Sequence, residues 1–139
     1  MFLLDTNLVS EVTKPRRDPG AELWLSATPP ETMYISTITL TELRFGIDRM
    51  TDGRRRDDLL RWYTEDVPAQ FAGRILDVTF AVADRAGMVK ALGRSSGIIT
   101  DDFDCLIAAT ALVHDLTVVS RNVRHFAPLG IAVLNPWAA

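Results

Sequence analysis

The sequence predicts an α/β fold in which a mostly parallel sheet is covered by helices on both faces. Three observations predict it. Short apolar or β-prone runs, Phe2 to Leu4, Met33 to Ser36 and Leu116 to Ser120, alternate with stretches of helical period along the whole chain. Phe2 to Leu4 is apolar throughout, as a strand buried in such a sheet must be. Asp104 to Val113 holds one charge at its start and none after it, which reads as a helix packed inside the molecule, with Ala108 and Ala111 letting the sheet approach closely.

The elements follow in order. After the first strand, Asp5-Thr6-Asn7 supplies capping chemistry for a helix over Leu8 to Val12. Lys14 to Gly20 reads as a loop, and Ala21 to Ala27 as a short helix stopped by Pro29-Pro30. Met33 to Ser36 is the second strand. Thr39-Leu40-Thr41-Glu42 has the spacing of a capping box, which would open a helix through Leu43, Ile47 and Met50 and end at Asp52-Gly53. A further helix from Arg54 carries Leu59, Leu60, Trp62 and Tyr63 and stops before Pro68, making a helical hairpin with the one before it. Ile75 to Phe80 is a third strand, Ala81 to Leu92 a helix, and Gly93 to Gly97 a flexible connection into the apolar helix. Leu116 to Ser120 and Ile131 to Leu134 complete the sheet.

Composition bounds the function. A chain of 139 residues, 47% hydrophobic and 24% charged, is expected to form one domain over residues 1–139 with a sizeable core. A net charge of -3 gives no general attraction to nucleic acid, so a polyanion would have to be met by local basic clusters or bound cations. One cysteine, Cys105, excludes a disulfide framework, and two histidines, His114 and His125, make a Cys/His zinc site unfavourable. No apolar run approaches membrane-spanning length and the start of the chain reads as no signal peptide, so the expected location is the cytoplasm.

The residues able to carry chemistry are acidic. Asp104, in the first turn of a buried helix, must be paired, hydrogen-bonded or metal-bound, because desolvating a lone carboxylate costs several kcal/mol. In parallel sheets ligands bind beyond the carboxyl ends of the strands, where strand order reverses. Asp5 and Asn122 follow strands at that edge, Glu42 comes shortly after one, and Asp104 opens a helix leading into one, so all four can converge there. Three clustered carboxylates repel unless a divalent cation neutralises them, and hard oxygen donors suit magnesium or manganese. That combination points to phosphate chemistry.

At these residues the sequence resembles a known family. Leu4-Asp5-Thr6-Asn7, the block Ile35 to Ile47 with Thr41-Glu42-Leu43-Arg44-Phe45-Gly46, Asp104 to Ala111, Ser120-Arg121-Asn122-Val123-Arg124-His125-Phe126 and Leu134-Asn135-Pro136-Trp137 look like the PIN-domain toxins of bacterial toxin–antitoxin pairs, the VapC and FitB type. The resemblance runs over essentially the whole chain. It implies a five-stranded parallel α/β/α sandwich, a magnesium- or manganese-dependent endoribonuclease, and a cognate antitoxin. It makes Asp5, Glu42 and Asp104 the metal ligands, with Asn122 beside them as a catalytic residue. Many members carry a further acid where this chain has Asn122 and His125, and either Asp101 or Asp102 could supply it. The implied reaction is in-line attack by a metal-activated water, leaving 5′-phosphate and 3′-hydroxyl ends. The expected assembly is a homodimer bound by an antitoxin that lays an arginine on the acidic cleft, with apolar surface from Phe45, Leu59 and Trp62 of the Thr39 to Pro68 hairpin.

Blander roles compete residue by residue. Asp5 could simply cap a helix, Glu42 complete a capping box, and Asp104 complement a helix dipole. Cys105 reads as a small buried residue, His114 as a helix C-terminal residue favoured by the dipole, and the tryptophans as core or interface aromatics. The rival function is a non-catalytic binding module, either receiver-like or a PIN fold that only binds RNA or protein. The absence of a lysine after the Leu116 to Ser120 strand counts against a receiver.

Overall fold

A computed structural model of the chain describes residues 1–138; Ala139, the last residue of the expected domain, lies outside them. Five parallel strands form one sheet in the order β3-β2-β1-β4-β5: β1 (Phe2–Leu4), β2 (Met33–Ser36), β3 (Ile75–Leu76), β4 (Thr117–Val119) and β5 (Val133–Leu134). Strand order reverses between β1 and β4, which pair in register as Phe2 with Thr117, Leu3 with Val118 and Leu4 with Val119. Period-two alternation then separates two cores. Leu3 and Val118 point into one, with Ile107, Ala108, Ala111 and Phe126, while Leu4 and Val119 point into the other, with Leu8, Ile35, Leu43 and Val67. Each such apolar side chain, removed from water, contributes about 1.5–3 kcal/mol.

The helices are α1 (Thr6–Glu11), α2 (Pro19–Ala27), α3 (Thr37–Asp48), α4 (Arg54–Arg61), α5 (Val67–Gln70), α6 (Phe80–Ser95), α7 (Asp102–His114) and α8 (Val123–Phe126). α7 is the expected interior helix, with Cys105, Ile107, Ala108, Ala109, Thr110 and Ala111 all buried. Trp24 meets Phe2 edge to face at 5.1 Å, and Trp62 and Trp137 pack against the same core.

Several boundaries differ from the sequence expectation, each for a local reason. α2 begins at Pro19 because Asp18 caps it, accepting the Ala21 N–H at 2.9 Å. α3 starts at Thr37, since Ser36 caps it by accepting the Ile38 N–H at 2.8 Å. Thr39 is therefore already inside the helix and fully buried, and Glu42 completes no capping box. The same helix ends at Asp48, short of Asp52-Gly53. Pro68 does not end the second arm of the hairpin. Trp62–Asp66 instead widens into a π-turn, in which the Val67 N–H reaches the Trp62 carbonyl five residues back. That relieves the clash of the proline ring with the preceding turn, and the helix continues as α5. β3 stops at Leu76 because Thr79 leaves the strand to cap α6 through the Val82 N–H at 3.2 Å. α6 runs on to Ser95, and the left-handed Gly97, at φ 77°, lies beyond its end. β5 is confined to Val133–Leu134.

Candidate active site

The reversal of strand order opens a cleft of about 610 Å³ whose lining includes Asp5, Glu42, Asp101, Asp104, Asn122 and His125. Asp5, Glu42, Asp104 and Asn122, the four residues singled out in the sequence, are thus brought to one place.

Asp5 leaves the end of β1 and serves as N-cap of α1. Its Oδ1 accepts the Thr6 N–H at 2.8 Å, and its Oδ2 accepts the Ser120 hydroxyl at 2.6 Å. Ser120 is fully buried at the end of β4, and its Oγ accepts the Asn122 N–H at 2.9 Å. One hydroxyl therefore links the loops leaving two adjacent strands. Glu42 reaches in from the second turn of α3, where its Oε1 accepts the Thr6 hydroxyl at 2.6 Å. Asp104, in the first turn of α7, places Oδ2 at 3.1 Å from His125 Nδ1. Asp101 caps α7 through the Phe103 N–H at 2.7 Å and borders the cleft, whereas Asp102 pairs with Lys90 at 2.7 Å and is not part of the lining. Of the two acids left open by the sequence, Asp101 is the one at the site.

Capping therefore describes only part of Asp5 and none of Glu42. Sequence reasoning gave no separate role to Thr6 and Ser120, although both are small hydroxyl residues at or just beyond the ends of neighbouring strands. That position is the signal that could have found them. Buried Glu11 was also missed. It accepts the Asp18 N–H at 2.8 Å and Lys14 Nζ at 3.0 Å, pinning the turn that follows α1.

The electrostatics follow from this packing. Burial pushes the Glu42 pKa up from its ordinary value, repulsion by Asp5, Asp104 and Asp101 adds to it, and the Thr6 hydrogen bond opposes it. Burial likewise raises Asp104, reinforced by Asp5 and Asp101 and opposed by His125. Burial would also raise Glu11, but its hydrogen bonds from Asp18 and Lys14 prevail and its pKa is lowered. The signs give a pH profile for the metal-free protein. Two acids with raised folded pKa values bind protons before the unfolded chain does, so stability should rise as pH falls from neutral towards the ordinary carboxylate values of 4.5 and 3.8. Glu11 acts oppositely: its contribution is present above 4.5 and is lost as pH falls through its lowered folded value. Melting temperature in EDTA should therefore pass through a maximum on the acid side of neutrality. Replacing Glu42 by Gln should flatten the arm above that maximum.

The donor set fits a hard divalent cation. Each of the three carboxylates is oxygen-only, two resist ionisation, and each is steered by a separate neutral or imidazole donor. Among the described residues, no three His, Cys, Asp or Glu side chains stand close enough together to hold a metal ion as they are placed, so the carboxylates would have to draw in around one. A spread set of this kind suits a hard divalent cation that keeps several waters and is held by one or two carboxylates. The steering is testable at Ser120. In Ser120→Ala the half-shell around buried Asp5 loses a charge-assisted hydrogen bond, which should cost about 1.5–3 kcal/mol in urea unfolding. A loss below about 0.5 kcal/mol would show that water replaces the hydroxyl without penalty.

Comparison with known proteins places this geometry. The PIN domain family pattern matches residues 2–129. The chain is 35% identical to the VapC ribonuclease Y4jK of Sinorhizobium fredii, over 99% of this chain and 98% of that protein. It is also 35% identical to Toxin FitB of Neisseria gonorrhoeae, over 99% of each. The crystal structure of FitAcB from Neisseria gonorrhoeae superposes with a TM-score of 0.94 at 34% identity, covering the whole of both chains.

Proposed function

The chain belongs to the PIN domain family, and from that premise we propose that it is a divalent-metal-dependent endoribonuclease, the toxin of a toxin–antitoxin pair. The observation that carries the reading is the convergence of Asp5, Glu42 and Asp104 at the switch point between β1 and β4. The parallel sheet of the expected three-layer sandwich supplies that edge, and residues 1–139 act as one domain.

Asp5, Glu42 and Asp104 would hold the cation, magnesium or manganese. When bound, it polarises a phosphodiester oxygen and makes a water nucleophilic near neutral pH. The chain's own residues do the rest. Ser120 and Thr6 fix the carboxylate rotamers through their hydroxyls, so little reorganisation is left for the reaction. Asn122, on the same cleft wall, offers an amide to orient a water or a phosphate oxygen.

The acidic cleft also suits an arginine of the antitoxin, which would block it by bidentate pairing. The α3–α4 hairpin offers apolar surface to such a partner and to a second copy of the chain. Phe45 is 65% exposed there, with Arg49 stacked over its ring at 5.3 Å. An RNA substrate and a protein antitoxin put the site of action in the cytoplasm. Among the described residues, no helix is long and apolar enough to cross a membrane.

Purified protein incubated with RNA tests the reading. EDTA should abolish cleavage, magnesium or manganese should restore it, and zinc should not be required, because among the described residues the site offers no thiolate. Cleavage undiminished in EDTA would overturn the metal chemistry. Binding of RNA without cleavage under any divalent ion would favour the non-catalytic module.

A further inference from the structure

We propose that His125 is a positioning residue for Asp104: its Nδ1 stands against Oδ2 of the carboxylate, leaving Oδ1 as the oxygen with which Asp104 meets a cation. The proposal rests on the metal-dependent reading above and deepens it.

Three observations carry it. First, Nδ1 lies 3.1 Å from Oδ2 of a carboxylate that is only 18% exposed, in direct polar contact with it. A carboxylate only accepts, so the ring nitrogen facing it carries the proton. That N–H is present in the neutral ring and in the imidazolium alike, and the contact does not depend on the ring's charge. Second, the ring is held in place from below. The His125 backbone N–H donates to the Asn122 carbonyl at 2.9 Å, and the next residue, Phe126, is fully buried in the core. Third, the arrangement repeats across the cleft. Glu42 Oε1 is claimed by the Thr6 hydroxyl and Asp5 Oδ2 by the Ser120 hydroxyl, with the Thr6 N–H on Asp5 Oδ1 besides, so each of these carboxylates is steered by one side-chain donor. Unsteered, three like charges would turn away from one another. Without His125, Asp104 alone among them would keep no side-chain donor contact of those described. Donors of this kind, bonded to a ligand and not to the metal, typically change metal affinity by about 10–100-fold when removed.

Manganese titration calorimetry on the full chain at one fixed pH tests the assignment, with His125→Asn, His125→Gln and His125→Ala beside the wild type. Asn keeps an N–H donor where Nδ1 stands, whereas Gln moves it to the place of Nε2. The wild type and His125→Asn should bind manganese within about threefold of each other, and His125→Gln and His125→Ala should bind about 10–100-fold more weakly. His125 is 56% exposed, so all four proteins should fold cooperatively in EDTA, with melting temperatures only modestly apart. If His125→Ala binds manganese as tightly as the wild type or more tightly, the ring only repels the cation, and the proposal is overturned. It is overturned equally if Gln preserves affinity and Asn does not, because the working nitrogen is then Nε2. A wild type that binds no manganese, magnesium or calcium defeats the metal reading itself before any variant is compared.

Discussion

Asp104→Asn should reduce RNA cleavage to background while leaving the metal-free protein at least as stable as the wild type. The carboxylate is half-buried, and burial and the Asp5 charge both raise its pKa, so at neutral pH its ionisation opposes folding. A neutral amide of the same shape removes that opposition and can still accept from His125. It cannot replace an anionic ligand. A cation at one hundred times its dissociation constant adds about 2.7 kcal/mol to the wild-type fold, and most of this increment should vanish in the variant. Thermal melts with and without magnesium, read beside an RNA cleavage assay, separate this from a purely structural Asp104. Loss of a favourable helix-dipole contact alone would lower the metal-free stability by about 0.3–1 kcal/mol and spare both cleavage and the magnesium effect.

Phe126→Ala should be the most damaging single substitution away from the cleft. Phe126 is fully buried with Leu3, Val118 and Ile131, and truncating such a residue leaves a cavity costing about 3–5 kcal/mol. Against a typical total of about 5–15 kcal/mol, that is a large fraction. The effect should reach the site as well. α8 has four residues, too few to be helical unaided, so its seat in the core is what holds His125 beside Asp104. Urea unfolding should show a lower midpoint with an unchanged slope. Magnesium should also stabilise the variant less than it does the wild type, at temperatures where both are folded. A loss below about 1 kcal/mol would mean that α8 is anchored elsewhere.

How much of this was legible in the sequence depends on how local the determining physics is. Strands β1, β2 and β4 and helix α7 declared themselves because burial on both faces leaves long apolar signatures at Leu3-Leu4, Val118-Val119 and Ile107 to Ala111. The edge strand β3 was overestimated because Thr79 is both β-prone and a good cap, and only the packing of α6 decides between the two. Thr39 to Glu42 was misread for a related reason. The spacing suits a capping box, but Ser36 caps first, and that frees Glu42 to point at Thr6. Pro68 carries the signature of a stop, although a helix can widen ahead of a proline and continue. The convergence of Asp5, Glu42, Asp104 and Asn122 followed from topology, which the alternation of elements encodes. The steering contacts did not. Thr6 with Glu42, Ser120 with Asp5 and His125 with Asp104 join distant segments, and no pattern within a short window reports them.

The bond between Ser120 and Asp5 spans 115 residues of chain, and β1 has no partner on its inner side until β4 exists. A ribosome emits the chain from its N-terminus at about 5–20 residues per second, so roughly 6 to 23 s separate the emergence of these two groups. For about half of that interval Asp5 and Glu42 are already outside, yet Asp104, Ser120 and His125 are still to come. The candidate site therefore closes only after β4 has emerged, when its long-range pairing with β1 forms. Such non-local pairing is the slow part of folding, because loop closure must precede the contacts that reward it. Chains that stop short of Ser120 and His125 accordingly lack the assembled cleft, and destructive chemistry is withheld until both segments have been made.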